Sequence, residues 1–331
     1  MIAQNKRVGG QFSDGRAPGK YVIMLKTITP LDTFTWTTVH NMTPGDREKL
    51  NNEFGIDNEL INYAIDPYES ARMEYDDVKG VTLMIIDVVT PTSTIATTEP
   101  VGLMFTNDMQ HFLSFTREET SYVTDYLRQI IEELRQRQAH DVTPISLSVN
   151  VIVLIAAKFL AAILEINRRR MPIQREMRHV KNTQAQIDIL MDLQTDLIYI
   201  LNSLQTDIDL LRGFKKNHRY SLTENNLERI EDALVELVQA LDTGQLSQKV
   251  TKSVSDSYSD LSNNRLNWTM KVLTVSSIVL TMPTIITGFF GQNVSLPFAH
   301  TPFGWVITIF ICLLFMAAVT WLFWWMDFLK K

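Results

Sequence analysis

Residues 272 to 293 read VLTVSSIVLTMPTIITGFFGQN, an apolar run whose polar members keep a rhythm and which closes on Gly-Gln-Asn. Asn267, Met270, Thr274, Ser277, Thr281, Thr284, Gly288 and Gly291 follow one another at alternating steps of three and four residues. In a helix those steps stay on one face. All but Met270 are polar or glycine, whereas Val272, Leu273, Val275, Ile278, Val279, Ile285 and Ile286 between them are apolar. Such a face meets something other than lipid. Either small residues let two helices approach and bond across a seam, or several copies border an aqueous path. Asn267 and Asn293 bracket the stripe with carboxamides, and the stripe runs the full depth of the segment, which favours the path.

Working outward, the stretch from Val272 to Met326 holds no Asp, Glu, Lys or Arg, although the 331-residue chain is 21% charged and 45% hydrophobic. Two apolar segments, 272–290 and 303–326, each approach the roughly 20 residues that cross a bilayer. A third, VIVLIAAKFLAAIL at 151–164, is shorter and carries Lys158, so it reads as a buried core helix. Pro283 predicts a bend or local loosening in the first span. The second has Trp305 at one end and Trp321, Trp324 and Trp325 at the other, matching interfacial belts on a lipid-facing helix. Arg265, Lys271, Lys330 and Lys331 flank the spans while 291–302 has no Lys or Arg, so both termini are expected in the cytoplasm and the Gly-Gln-Asn loop outside. The start of the chain has no apolar secretory region, which leaves the large domain on the cytoplasmic side of the cell membrane.

Before the spans, YVIMLKTI, VTLMIIDVV, VGLMF and HFLSF read as strands and PGDREKLNNEF and NELINYAI as helices, an α/β alternation. From about residue 117 strand signals end. Leu190, Leu193, Leu197, Leu201, Leu204, Ile208 and Leu211 mark an amphipathic helix, with a break expected over 213–220. Ser221 and Glu224 form a capping-box pattern that opens the next helix. Its apolar stripe, from Leu227, Ile230, Leu234, Leu237 and Leu241 to Val250, Val254, Tyr258 and Leu261, runs on into the first span with Gly244 as the weak link. At about 1.5 Å per residue a helix over 223–290 reaches about 100 Å, a stalk longer than a membrane is thick. The expected plan is α+β: a cytoplasmic α/β domain (1–145), a helical region (146–222), stalk and first span (223–290), outer loop (291–302), second span (303–326) and a short tail (327–331).

Several function classes fall away. The net charge of −6 argues against nucleic acid as a partner. GRAPGKY at 15–21 has the wrong glycine spacing for a phosphate loop, and Tyr21 stands where Ser or Thr must hold the metal, so it reads as a leader. The six histidines show no H-E-x-x-H pairing; His300 in the outer loop reads as solvated, and the arginines at 168–170 as a helix face. Cys312, the single cysteine, lies in the second span. No enzyme motif and no cofactor is indicated. Two spans cannot enclose a hole, so a pore requires a closed ring of identical subunits in the bilayer. A lining without carboxylates suits magnesium that keeps its water shell, held through water by amide and hydroxyl oxygens.

NNRLNWTMKVLTVSSIVLTMPTIITGFFGQN followed by a short loop resembles the pore segment of CorA-type magnesium channels, whose signature is Gly-Met-Asn with MK-LT near the start of the span. FTWTTVHNMTPGDREKLNNEFGIDNELINYAIDPYESARMEYDD is similar to that family's cytoplasmic domain. The resemblance implies a homopentameric funnel. By position it makes Asn293 the coordinating residue at the outer entrance and Gly291 the turn. Thr284 and Asn267 lie deeper, and Met270 and Leu273 form the hydrophobic gate. Gln292 replaces the family's Met, which leaves a zinc or other divalent metal transporter as an alternative, beside a membrane-anchored scaffold or sensor in which the stripe is only a seam. The outer loop VSLPFAHTPF lacks the acidic residues common in relatives. Asp232 sits at the position of a stalk carboxylate that holds regulatory magnesium, but Asn62 and Tyr63 stand where its acidic partners are expected. That site is therefore expected to be weakened, or moved to Asp57 or Asp66.

Overall fold

The computed structural model describes residues 26–28, 34–90, 97–137, 142–177, 183–220, 222–292, 303–326 and 328. The chain divides into two compact units, one of residues 1–171 with 192–250 and one of 172–191 with 251–331.

The first unit is built on a six-stranded sheet in the order β1-β2-β6-β5-β4-β3. Its strands are β1 (Lys26–Ile28), β2 (Thr35–His40), β3 (Arg72–Asp76), β4 (Val81–Val89), β5 (Thr98–Thr106) and β6 (His111–Thr116). β2 and β6 run parallel, and the other neighbours are antiparallel. β4, VTLMIIDVV, is buried at every position, as a near-continuous apolar strand covered on both faces must be. One face carries α1 (Pro44–Phe54) and α2 (Asn58–Ile65), whose Leu50, Leu60, Ile61 and Ala64 pack on Leu83, Ile85, Met104 and Leu113. Both helices keep the boundaries their sequences predict. Thr43 and Asp46 close a capping box at the start of α1, and Gly55 ends it at φ 66°, a left-handed position where a side chain would be strained.

The other face carries α3 (Tyr122–Gln136), α4 (Pro144–Glu176), α5 (Thr183–Lys216) and the first part of α6 (Glu224–Phe290). The apolar stretch of α4 is a core helix. Val151, Ile152, Ile155, Ala156, Phe159 and Ile163 are all buried with the sheet, and the Lys158 ammonium lies 5.3 Å from the Tyr122 ring. The boundary at 145/146 therefore falls inside one continuous core shared by sheet and helices.

Some local expectations are corrected. β2 and β3 escaped the strand reading: β2 buries Thr37 and Thr38 among its apolar residues, while β3 is a half-buried edge strand, RMEYD, whose charges suit an edge. The break expected over 213–220 comes in its second half: α5 runs through Gly213 to Lys216 before the chain turns at 217–220, and the buried Phe214 packs its ring 5.2 Å from Tyr220. At the start of α6 the cap is Thr223, whose Oγ1 accepts from Asn226 N at 3.2 Å; Glu224 is the first helical residue, and Ser221 lies outside the described residues. Gly244 is no weak link. A Cβ there would stand 2.7 Å from Leu201 Cδ2 and 3.2 Å from Ile163 Cδ1, so its bareness admits α5 and α4 to the helix.

In the second unit, Tyr258 of α6 is fully buried and donates its hydroxyl to the Ile173 carbonyl at 2.7 Å. α6 passes through Pro283 without interruption, so the expected loosening does not end the helix. α7 spans Gly304–Trp325. α4, α6 and α7 are long and apolar enough to cross a membrane by length and composition, but the apolar window of α4 is 50% buried by protein against 6% for each of the others. That difference separates a core helix from two lipid-seeking ones.

Candidate ion-conducting face

The stripe on α6 is intact and open. Asn267, Met270, Thr274, Ser277, Thr281, Thr284, Gly288, Gly291 and Gln292 are all exposed in the single chain, as is Leu273 beside them. The covered residues of the same segment are others: Val275 is 6% exposed, and Val272, Val279, Met282, Ile286 and Phe290 are half-buried. At about 100° per residue the two sets point about 180° apart. Pro283, Thr287, Phe290 and Gly291 share a groove of about 600 Å³ with Trp305, Ile309 and Cys312, so α7 borders α6 at Gly291 of the stripe but at none of the stripe's hydroxyl residues.

Three of the hydroxyls on this face have their protons committed. Thr274 Oγ1 donates to the Met270 carbonyl at 2.8 Å, Ser277 Oγ to Leu273 at 2.9 Å and Thr281 Oγ1 to Ser277 at 2.7 Å. Each hydroxyl turns back one helical turn to a backbone oxygen, a bond open to Ser and Thr in a helix. What remains outward is lone pairs. A water bound to a cation points its hydrogens away from the ion, so it needs acceptors around it. The stripe is an acceptor comb. Residue types in the sequence suggested the face; the direction of each hydroxyl proton required the structure.

At the C-terminal end of α6, Gly291 N donates to the Thr287 carbonyl at 2.9 Å and Gln292 N to the Phe289 carbonyl at 3.3 Å, closing the last turn of the helix. Asn293 and His300 lie outside the described residues. Among the expected regulatory positions, Asp232 is exposed and lies 3.8 Å from Arg229 Nη1 one turn before it. Asn62 Oδ1 accepts from Arg47 Nη1 at 2.7 Å, Tyr63 donates to Glu59 at 2.7 Å, and the Arg72 guanidinium lies 4.6 Å from the Tyr63 ring. Asp57 precedes α2 without a side-chain cap, and Asp66 Oδ1 accepts from Tyr68 N at 2.9 Å. No group of three or more His, Cys, Asp or Glu placed to hold a metal occurs among the described residues. Positions 62 and 63 are thus spent on local bonds.

One pair went unread in the sequence. Asp87 in β4 and Asp207 in α5 are both buried, and Asp207 Oδ1 accepts the backbone N–H of Asp87 at 3.0 Å. Burial pushes both carboxyls above the ordinary aspartate range, Asp207 well above it with the Asp87 charge adding to the effect. A lone acid inside VTLMIIDVV was the available signal.

An α/β domain whose last helix runs unbroken into an apolar segment with a polar face, followed by a second long apolar helix, fits a membrane transporter. The CorA-like Mg2+ transporter protein family matches residues 32–331, and the chain belongs to that family, whose members are transporters and not enzymes. Among curated proteins it is 30% identical over 132 residues to the cobalt/magnesium transport protein CorA of Methanocaldococcus jannaschii, covering 39% of this chain and 42% of that one. It is 28% identical over 134 residues to the putative metal ion transporter YfjQ of Bacillus subtilis, covering 39% and 41%. The aligned stretches thus span less than half the length of either relative. The solved structure of the complete CorA magnesium transporter from Methanocaldococcus jannaschii superposes with a TM-score of 0.75 at 20% identity, over 88% of this chain and 90% of that one. The ZntB cytoplasmic domain from Vibrio parahaemolyticus matches with a TM-score of 0.55 at 12% identity, over 72% and 90%. At these identities the structures establish the fold.

Proposed function

We propose that the chain assembles as a homopentamer in the cell membrane and conducts hydrated divalent cations, Mg2+ first among them, into the cytoplasm along the polar face of α6. The observation that carries this reading is the acceptor comb of Thr274, Ser277 and Thr281, which keep their lone pairs free and lie outside the groove that α6 shares with α7. Five such faces around an axis would form a neutral, water-accepting wall that passes an ion without stripping its shell. Asn293 and Gln292 form the outer carboxamide rings, with Gly291 and Gly288 giving close approach. Thr284, Thr281, Ser277, Thr274 and Asn267 line the path, and Met270 and Leu273 narrow it toward the cytoplasm. Asp232 is the remaining stalk carboxylate available to a regulatory cation, without acidic residues at 62 and 63. The CorA relative is a cobalt/magnesium transport protein by name, which supports the divalent class.

Flux into proteoliposomes tests this. Magnesium entry is expected in the wild type, to fall strongly in Asn293→Ala, and to fall in Thr281→Val, which keeps shape but removes the acceptor. Unchanged flux in both variants removes the assigned path, and no flux in the wild type favours the scaffold reading. Gln292 at the centre of the signature supports a second reading, a zinc transporter of the same fold, and competition by zinc, cobalt and nickel in this assay separates the two.

A further inference from the structure

We propose that Asp87 and Asp207 form a proton-held latch that fastens α5 to the end of β4 in the globular unit. β3 pairs with β4 only as far as Ile85, so the edge of β4 beyond that residue needs another partner. α5 supplies it. Asp207 Oδ1 takes the Asp87 N–H at 3.0 Å, Thr206 Oγ1 lies 3.4 Å from Asp87 Oδ2, and Ser203 Oγ lies 3.0 Å from Thr98 Oγ1 of β5. Asp207 is 3% exposed and Asp87 8%.

The groups facing the pair are few. From α5 they are the Ser203 and Thr206 hydroxyls, from β5 the Thr98 hydroxyl, and the charge acting on Asp207 is that of Asp87 itself. Neither carboxyl has an ion-pair partner among the described residues. The nearby Glu99 is taken by Arg117 at 2.9 Å, Arg212 lies 3.6 Å from Asp209, and Lys215 pairs with Glu231. Two buried carboxylates with no cation cannot both ionise cheaply, so the pair keeps a proton where solvated aspartates have lost theirs. The folded chain then binds more protons than the unfolded one above the unfolded aspartate pKa of about 3.9. The stabilisation is complete below that value and is lost as pH rises through the pair's own titration. Alkalinity opens the latch, freeing α5 from the strand edge.

The experiment uses the full-length protein in detergent or nanodiscs. Infrared spectroscopy at neutral pH is expected to show a protonated-carboxyl band that Asp207→Asn weakens. Hydrogen exchange is expected to show the protection factor of the Asp87 amide falling as pH rises in the wild type, by up to about tenfold per pH unit between the unfolded aspartate pKa and the pair's own, and levelling above it. It falls less steeply in Asp207→Asn, where only the Asp87 carboxyl is left to titrate and the carboxamide oxygen still accepts that N–H. The thermal midpoint should follow the same contrast. A wild type with no protonated-carboxyl band at neutral pH overturns the latch, even if the variant fails to fold. Parallel pH curves for wild type and variant overturn it equally.

Discussion

At the scale of single residues, close approach decides more than polarity. Gly102 of β5 lies under α2, where an added Cβ would stand 3.0 Å from Ala64 Cβ and 3.2 Å from the Ala64 Cα and carbonyl oxygen. The obstacle is backbone, so the helix must move. Gly102→Ala is expected to cost about 1–3 kcal/mol, read as a lowered denaturation midpoint of the full chain. Gly244 differs, since its nearest neighbour is the end of a leucine side chain that can turn aside. Neither distance is legible in a string of letters. The stripe residues were legible, because their positions follow from helical periodicity alone.

At the scale of elements, α4 shows how composition can mislead. Its hydropathy alone suits a membrane span, yet Phe159, Ile155 and Ile163 are buried against the globular core. Shortness of the uncharged run and Lys158 gave the right reading before any coordinates. Phe159→Ala is expected to destabilise the globular unit by about 3–5 kcal/mol, measured by chemical denaturation with tryptophan fluorescence. A membrane-embedded ring would produce a far smaller shift in that unit. α1 and α2 were readable to the residue because Thr43, Pro44 and Gly55 punctuate them. β3 was not, because an edge strand half-open to water carries charges that resemble a loop.

At the scale of the whole molecule, the exposed polar face of α6 has to be covered by copies of itself if it borders water. Native mass measurement of the detergent-solubilised protein is expected to give five chains per particle, and a stable monomer would leave the proposed wall without its other sides. The amino-acid sequence by itself determined the two long apolar helices near the C-terminus, the polar rhythm of α6 and the α/β alternation, since each is periodic or local in the chain. Only the tertiary structure decided that α7 borders α6 away from the stripe's hydroxyls, that the protons of Thr274, Ser277 and Thr281 turn inward and that Asp87 meets Asp207. Those facts depend on which distant segments become neighbours, and no local pattern encodes a contact across 120 residues.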